Sequence, residues 1–234
     1  MRNRLFMKLL LAFAIVIVVG CKKENNRSEA SADSHEYVDL GLPSGNLWAT
    51  CNVGAGSQEE IGYYFAWGET VPKDTYSWDN YRYGDYIVDE LFELTKYCTE
   101  PNWGLNGFVD NMLVLESVDD AALANWGAGW RMPSKEDFEE LVRCTKCEWT
   151  TSNGVEGILF TAKNGNTMFM PATGYRCDGE LYCTYVGMYW STTLFQWSPE
   201  RSWSLHFDDE DCHVCGTYER NRGQVVRAVK VDAR

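Results

Sequence analysis

From Leu9 to Val19 the chain runs eleven residues without a polar side chain, and nothing comparable recurs in its 234 residues. Eleven helical residues rise about 16 Å, far short of a hydrocarbon core of about 30 Å, so this stretch is too short to span a bilayer as a helix. Arg2 and Arg4 precede it and Gly20 follows it, the layout of a secretory signal. The next fifteen residues, 22–36 (KKENNRSEASADSHE), hold no aromatic and no aliphatic larger than alanine. Such a segment has little to bury and reads as a flexible tether. The part of the chain that can build a core therefore starts at residue 37. Of 10 Trp, 13 Tyr and 10 Phe, all but Phe6 and Phe13 lie beyond residue 36.

Val18-Val19-Gly20-Cys21 resembles the bacterial lipobox, which implies cleavage before Cys21 and acylation of that cysteine. The alternative is an uncleaved membrane anchor with a free thiol at Cys21. Removing residues 1–20 takes away Arg2, Arg4 and Lys8 and no acid, so the net charge of −13 becomes −16. A surface this acidic excludes nucleic acid as a partner, because phosphate binding needs clustered Lys and Arg. It also excludes adhesion to anionic lipid through the protein surface and leaves the lipid as the membrane contact. Lys22-Lys23-Glu24 partly resembles the export signals of surface-displayed lipoproteins. The expected organisation is a signal peptide over 1–20, a lipidated Cys21 with its tether to residue 36, and one domain over 37–234. The expected location is the cell envelope, as an outer-membrane lipoprotein, with surface and periplasmic orientations both open.

Within 37–234 the pattern is of short strands, turns and two helices. Glu36 to Cys51 holds two strand-like runs joined by Leu42-Pro43-Ser44-Gly45, and Ile61–Gly68 suits a strand by its aromatics. Ser117 with Asp120 three residues on predicts the cap of a helix through Ala121–Ala124. Ser134 with Asp137 predicts a second, whose Phe138, Leu141 and Val142 share one face. A third, weaker helical pattern covers Asp89–Lys96. Asn164-Gly165 between Gly157–Phe160 and Met168–Met170 predicts a hairpin. Trp203, Leu205 and Phe207 alternate with Ser202, Ser204 and His206, predicting a strand with one buried face and the valine-rich 224–231 paired beside it. Strands and helices do not alternate regularly, so the class expected is α+β.

Eight cysteines follow Cys21. An exported chain meets an oxidising compartment, which allows disulfides. Cys177 and Cys183 bracket the turn Asp178-Gly179-Glu180 and form the best local candidate pair. Cys144/Cys147 and Cys212/Cys215 are two C-x-x-C pairs, open to disulfides or buried thiols, to zinc, or to a redox centre. Asp208-Asp209-Glu210-Asp211 offers hard oxygen ligands, so Asp208, Asp209 and Asp211 are candidate calcium ligands; a solvated turn is the alternative. The irregular stretch from Tyr76 to Tyr86 and the loop Phe195-Gln196-Trp197 are rich in rings, which serve interfaces well. Tyr81, Tyr83, Phe195 and Trp197 are the candidate ligand-binding platforms. Catalysis has thin support. The only histidines are His35, His206 and His213, and a Cys/His dyad at His213 would rest on chain proximity alone.

Gly129-Trp130-Arg131-Met132-Pro133-Ser134 with its acidic helix, Gly187-Met188-Tyr189-Trp190-Ser191-Thr192, and Gly223 to Val229 together resemble the signature blocks of the Fibrobacter succinogenes major paralogous domain family. Tyr37–Gly45 and Tyr64–Glu69 are similar to the version found in Bacteroidetes lipoproteins. The resemblance implies a C-type-lectin-like fold: a mixed sheet, about two helices and long irregular loops that face a ligand. It implies a binding module for glycan or another envelope ligand, with a protein-binding adhesion or scaffold role as the alternative. It carries no catalytic residues. A formylglycine-generating-type enzyme is the third possibility, since its helix start resembles Arg131–Ser134. Glu100-Pro101-Asn102 matches a lectin calcium motif but precedes the signature, where no ligand loop is expected. Trp130 and Trp190 are expected as core anchors, and Arg131 and Arg227 as partners of buried carboxylates.

Overall fold

Ser134 does what its spacing from Asp137 demands. The Asp137 N–H donates to Ser134 Oγ (3.2 Å) and the Ser134 N–H donates to Asp137 Oδ2 (2.7 Å), a reciprocal cap that satisfies two orphan donors. A computed structural model of the protein, describing residues 35–88 and 91–230, shows the consequences. The signal peptide, Cys21 and the tether up to residue 34 lie outside the described residues, as do Asp89 and Glu90. Among the described residues, no helix is long and apolar enough to cross a membrane.

In chain order the strands are β1 (Tyr37–Val38), β2 (Leu47–Ala49), β3 (Gly84–Val88), β4 (Leu91–Leu94), β5 (Trp130–Arg131), β6 (Thr145–Ser152) and β7 (Val155–Ala162). They continue with β8 (Thr167–Pro171), β9 (Tyr175–Cys177), β10 (Glu180–Tyr182), β11 (Gly187–Leu194), β12 (Arg201–Phe207), β13 (Cys212–Glu219) and β14 (Val229–Lys230). The helices are α1 (Ala121–Trp126) and α2 (Lys135–Cys144). The strands form small antiparallel sheets: β1-β2-β14-β5, β6-β7-β8, β11-β12-β13, and the hairpins β3-β4 and β9-β10. The class is α+β.

The hairpin at Asn164-Gly165 forms as expected, with the Gly165 N–H on Ala162 O (3.0 Å) and Gly165 at φ +88°. The turn at Leu42–Gly45 also forms, with the Gly45 N–H on Leu42 O (2.9 Å). Four expectations are corrected. The stretch Ile61–Gly68 forms no regular strand: it has the isolated Phe65↔Gln224 bridge and single bonds from the Tyr63 N–H to Val53 O and the Trp67 N–H to Arg220 O (2.8 Å each), between Gly62 and Gly68 at positive φ (+79° and +78°). In the segment expected to be helical over Asp89–Lys96, Leu91–Leu94 is strand β4, where Phe92 pairs with Tyr86 and joins an aromatic stack. Tertiary packing overrides a weak helical pattern here. Asp120, not Ser117, caps α1: its Oδ1 accepts the Leu123 N–H (2.9 Å), while Ser117–Asp119 forms a one-turn 3-10 helix. Finally, β14 pairs with β2 and β5, and Val225 bridges Tyr189 of β11, so the closing segment does not lie beside β12. On β12 itself the faces are mixed: Ser202 and Ser204 are fully buried and Trp203 is half-buried, because a bulge shifts the β12–β13 register between Ser202 and Ser204.

The core joins the sequence blocks. Trp130 and Trp190 are buried, and the Trp190 indole N–H donates to Phe65 O (2.9 Å). Arg131 pairs with Asp137 (2.6 Å), as its charge suggested. Arg227 is fully buried with a different set of partners: Nε donates to Asn52 Oδ1 (2.8 Å) and Nη1 to the carbonyls of Ala49 (3.1 Å) and Thr50 (2.7 Å). Peptide and amide oxygens, not a carboxylate, hold that guanidinium, and burial pushes its pKa down.

Candidate functional site

The site is built from a pinned turn. Residues Trp78–Asn80 form one 3-10 turn, and Asn80 fixes it on both sides. The Asn80 amide donates to Thr75 O (3.1 Å) and Thr75 Oγ1 (2.8 Å), and Asn80 Oδ1 accepts from Lys73 Nζ (3.0 Å). Lys73 is held in turn by Glu69 (2.9 Å). Trp78 is thereby presented half-exposed at the surface. Its ring lies flat on Phe92 of β4, with centroids 3.4 Å apart and planes 8° apart. Trp103 continues the stack beyond Phe92 (5.7 Å, 29°).

Trp78 and Phe92 form one wall of an open cleft of about 500 Å³, with Trp103 behind them. The opposite wall is polar and comes from the β9–β10 turn and the segment after β13: Cys177, Asp178, Glu219, Asn221 and Arg222. Asp178 and Gly179 both take positive φ (+49° and +84°), the two-residue hairpin turn that an Asp-Gly pair favours. The Asp178 N–H donates to Tyr76 O (3.1 Å), and Arg176 and Gly223 exchange both backbone hydrogen bonds (2.8 and 2.9 Å), so the two walls are tied together beneath the cleft. Glu219 receives Arg222 through Nε (3.0 Å) and Nη2 (2.9 Å), and the guanidinium lies over the Tyr175 ring (4.9 Å). Asn221 is buried, and its Oδ1 has no hydrogen-bond partner in the protein. Burial, together with the Asp178 carboxylate beside it, pushes the Cys177 thiol up to about 11, so it stays protonated in neutral solution. A flat apolar ring beside two carboxylates and a guanidinium suits a molecule with one apolar face and many hydroxyls.

Tyr81 and Tyr83, expected as platforms, lie beneath this surface at 3% and 7% exposure. The Tyr81 hydroxyl donates to Trp67 O (2.8 Å), and Arg220 lies over both the Trp67 and Tyr81 rings (5.3 Å each). The Tyr83 hydroxyl donates to Asp119. Both rings fill the core because their polar tips find partners there. Trp197 is exposed as expected, at 67%. It edges onto Phe195 (5.3 Å, 69°) beside a second cleft of about 360 Å³ lined by Leu113, Lys135, Thr193 and Trp203. Phe195 is half-buried against Gly216, where a Cβ would come within 2.2 Å of the ring. Trp197 and Phe195 therefore stay together, but at a site separate from the Trp78 stack. Phe92, Trp103 and Asn221 were not singled out by sequence. Trp78-Asp79-Asn80 was the usable signal, since turn-forming Asp and Asn mark which ring of an aromatic run is held at the surface.

The acidic loop closes the β12–β13 hairpin. Asp208 Oδ1 accepts the N–H groups of Glu210 and Asp211 (2.9 Å each), which hold its carboxyl below the ordinary value. Asp211 accepts the Cys212 N–H (2.7 Å) and pairs with His213 Nδ1 (3.0 Å). Asp209 is exposed. Among the described residues, no three His, Cys, Asp or Glu side chains stand together as a metal site. Asp208 and Asp211 thus serve the turn, and among the described residues neither this loop nor the two C-x-x-C pairs form such a group. Cys177 and Cys183 are free thiols. Cys177 pairs with Glu180 and Tyr175 with Tyr182, so Cys183 continues opposite Gly174. Three residues of offset is roughly 10 Å along the strands, beyond the ~7 Å limit for Cα atoms of a disulfide. No family model matches the chain, and neither a curated protein nor a solved structure matches it.

Proposed function

We propose that the protein is a lipid-anchored binding module of the cell envelope, with a C-type-lectin-like domain of the Fibrobacter succinogenes major paralogous type, and that it recognises glycan in the Trp78 cleft. The observation that carries this is the flat Trp78–Phe92 stack facing Asp178 and the Glu219–Arg222 pair across about 500 Å³. Sugar rings offer an apolar face to an aromatic and hydroxyls to carboxylates, amides and guanidinium groups. Spatial convergence of the signature blocks supports the family assignment: β14 pairs with both β2 and β5, and the Thr192 N–H donates to Pro133 O (2.8 Å). The basic start, short apolar run and Cys21 support export and lipidation. In this role the domain binds and does not catalyse.

A second reading, protein adhesion or scaffolding, is favoured by one feature. Trp197, Leu113 and Val114 are exposed at 67%, 40% and 54% and lie together on the second cleft. An array of envelope polysaccharides and oligosaccharides, probed with the full-length protein in detergent, separates the two. Retention on at least one glycan is expected. Absence of any glycan signal, with a protein partner that co-purifies and is lost on Trp197→Ala, would replace glycan recognition by the scaffold role.

A further inference from the structure

Cys147 lies on β6 and Cys212 opens β13, strands of two different three-stranded sheets. The two side chains face one shared cleft between those sheets. The C-x-x-C spacing does not pair within itself on β13. Cys212 sits opposite Phe207 and Cys215 opposite Ser204, and three residues along a regular strand point to opposite faces. Cys212 therefore turns toward Cys147, while Cys215 turns toward Ser204 Oγ (3.9 Å). His213 also faces away from Cys212, with its ring 5.2 Å from His206. Both thiols of the pair line an open cleft of about 350 Å³ whose rim carries Asp208, Asp209, Glu210 and Asp211.

We propose that Cys147 and Cys212 are a redox pair that closes into a disulfide, stapling β6 to β13, by exchange with a cationic or neutral disulfide admitted over the acidic rim. Cys147 is the attacking group. The neighbouring Cys212 and Thr145, whose Oγ1 stands 4.0 Å away, hold its thiol below the ordinary value against burial. The Cys212 thiol is pushed up by the same contact, by burial and by Asp211. The Cys147 thiolate attacks one sulfur of the donor, forming a mixed disulfide and releasing one donor thiolate. Cys212 then loses its proton and attacks the Cys147 sulfur, forming the Cys147–Cys212 bond and releasing the second donor thiolate. Two protein thiols are oxidised and one donor disulfide is reduced to two thiols. The bond closes a long loop between separate sheets, which constrains the unfolded chain.

The test uses the reduced full-length protein, with dicationic cystamine and dianionic oxidised glutathione as probes, followed by alkylation and peptide mapping. Cystamine is expected to link the peptide holding Cys147 to the one holding Cys212 at least tenfold faster than glutathione does at low salt. It is expected to raise the thermal midpoint by roughly 10 °C, reversibly with dithiothreitol. The link should persist in Cys215→Ser and vanish in Cys147→Ser and Cys212→Ser. Differential alkylation of the wild type gives the same answer if a variant does not fold: Cys147 and Cys212 should lose reactivity together. A link from Cys147 to Cys144 or Cys215, or a mixed disulfide on Cys147 that leaves Cys212 a thiol, would overturn the proposal.

Discussion

Asp119→Asn lowers the thermal midpoint by about 10 °C. Asp119 is buried at 1% exposure and collects the Lys96 ammonium (2.6 Å), the Tyr97 hydroxyl (2.6 Å) and the Tyr83 hydroxyl. Burial alone would raise its carboxyl, but the hydrogen bonds from Lys96, Tyr83 and Tyr97 outweigh it and hold the pKa below the ordinary value. Asparagine keeps one acceptor and turns an NH₂ toward groups that are themselves donors. It also leaves the Lys96 charge short of its counter-charge. Breaking a buried pair costs about 3–5 kcal/mol. The lower end applies, since Lys96 is partly solvated and keeps Glu116 (2.5 Å). About 3 kcal/mol corresponds to roughly 6–12 °C for a domain of this size. The pH dependence has a definite sign. A depressed folded pKa gives stability that is complete above the unfolded carboxyl value of about 4 and is lost as pH falls through the folded value. Wild type should lose more stability than Asp119→Asn on acidification from pH 5 to 2, and urea melts across that range check it.

Trp78→Ala weakens glycan binding at least tenfold and leaves the fold intact. Trp78 is half-exposed: it stacks on Phe92, covers the backbone of Gly84 and edges onto buried Tyr81 (5.4 Å), so its loss removes the exposed platform at a modest cost in packing at the margin of the core. A central aromatic contact of this kind is worth about 2 kcal/mol or more in recognition, which is tenfold or greater in affinity. Trp78→Phe should recover part of the affinity, because a smaller ring still stacks. Trp197→Ala should leave affinity unchanged, since Trp197 lies at a separate cleft. Retention of the variants on the immobilised glycan, measured against wild type, reads all three.

What could be read from the sequence was local. The Ser134 cap depends on a residue three positions away, and the Asn164-Gly165 hairpin on adjacent residues, so both were legible. The α+β class followed from the irregular order of such elements. The site was not legible in the same way, because it depends on distant partners. Tyr81 is taken into the core by Arg220, and Tyr83 by Asp119, through contacts that no local pattern encodes. Phe92 read as helical until its stacking partner Trp78 was placed beside it. Valines marked 224–231 as extended but could not name β2 and β5 as the edges it joins. Cysteine spacing marked two C-x-x-C pairs but could not show that Cys147 and Cys212, far apart in the chain, line one cleft.

Glycan recognition in the Trp78 cleft is tested most directly by titrating the full-length protein, isotope-labelled at its tryptophan indoles, with a glycan retained on the array. Each indole N–H gives its own resonance, assigned by single Trp→Phe variants. Progressive, saturable shifts of the Trp78 and Trp103 signals, with Trp197 unmoved, are the expected result. Shifts confined to Trp197, or saturable binding that moves neither Trp78 nor Trp103, would contradict it.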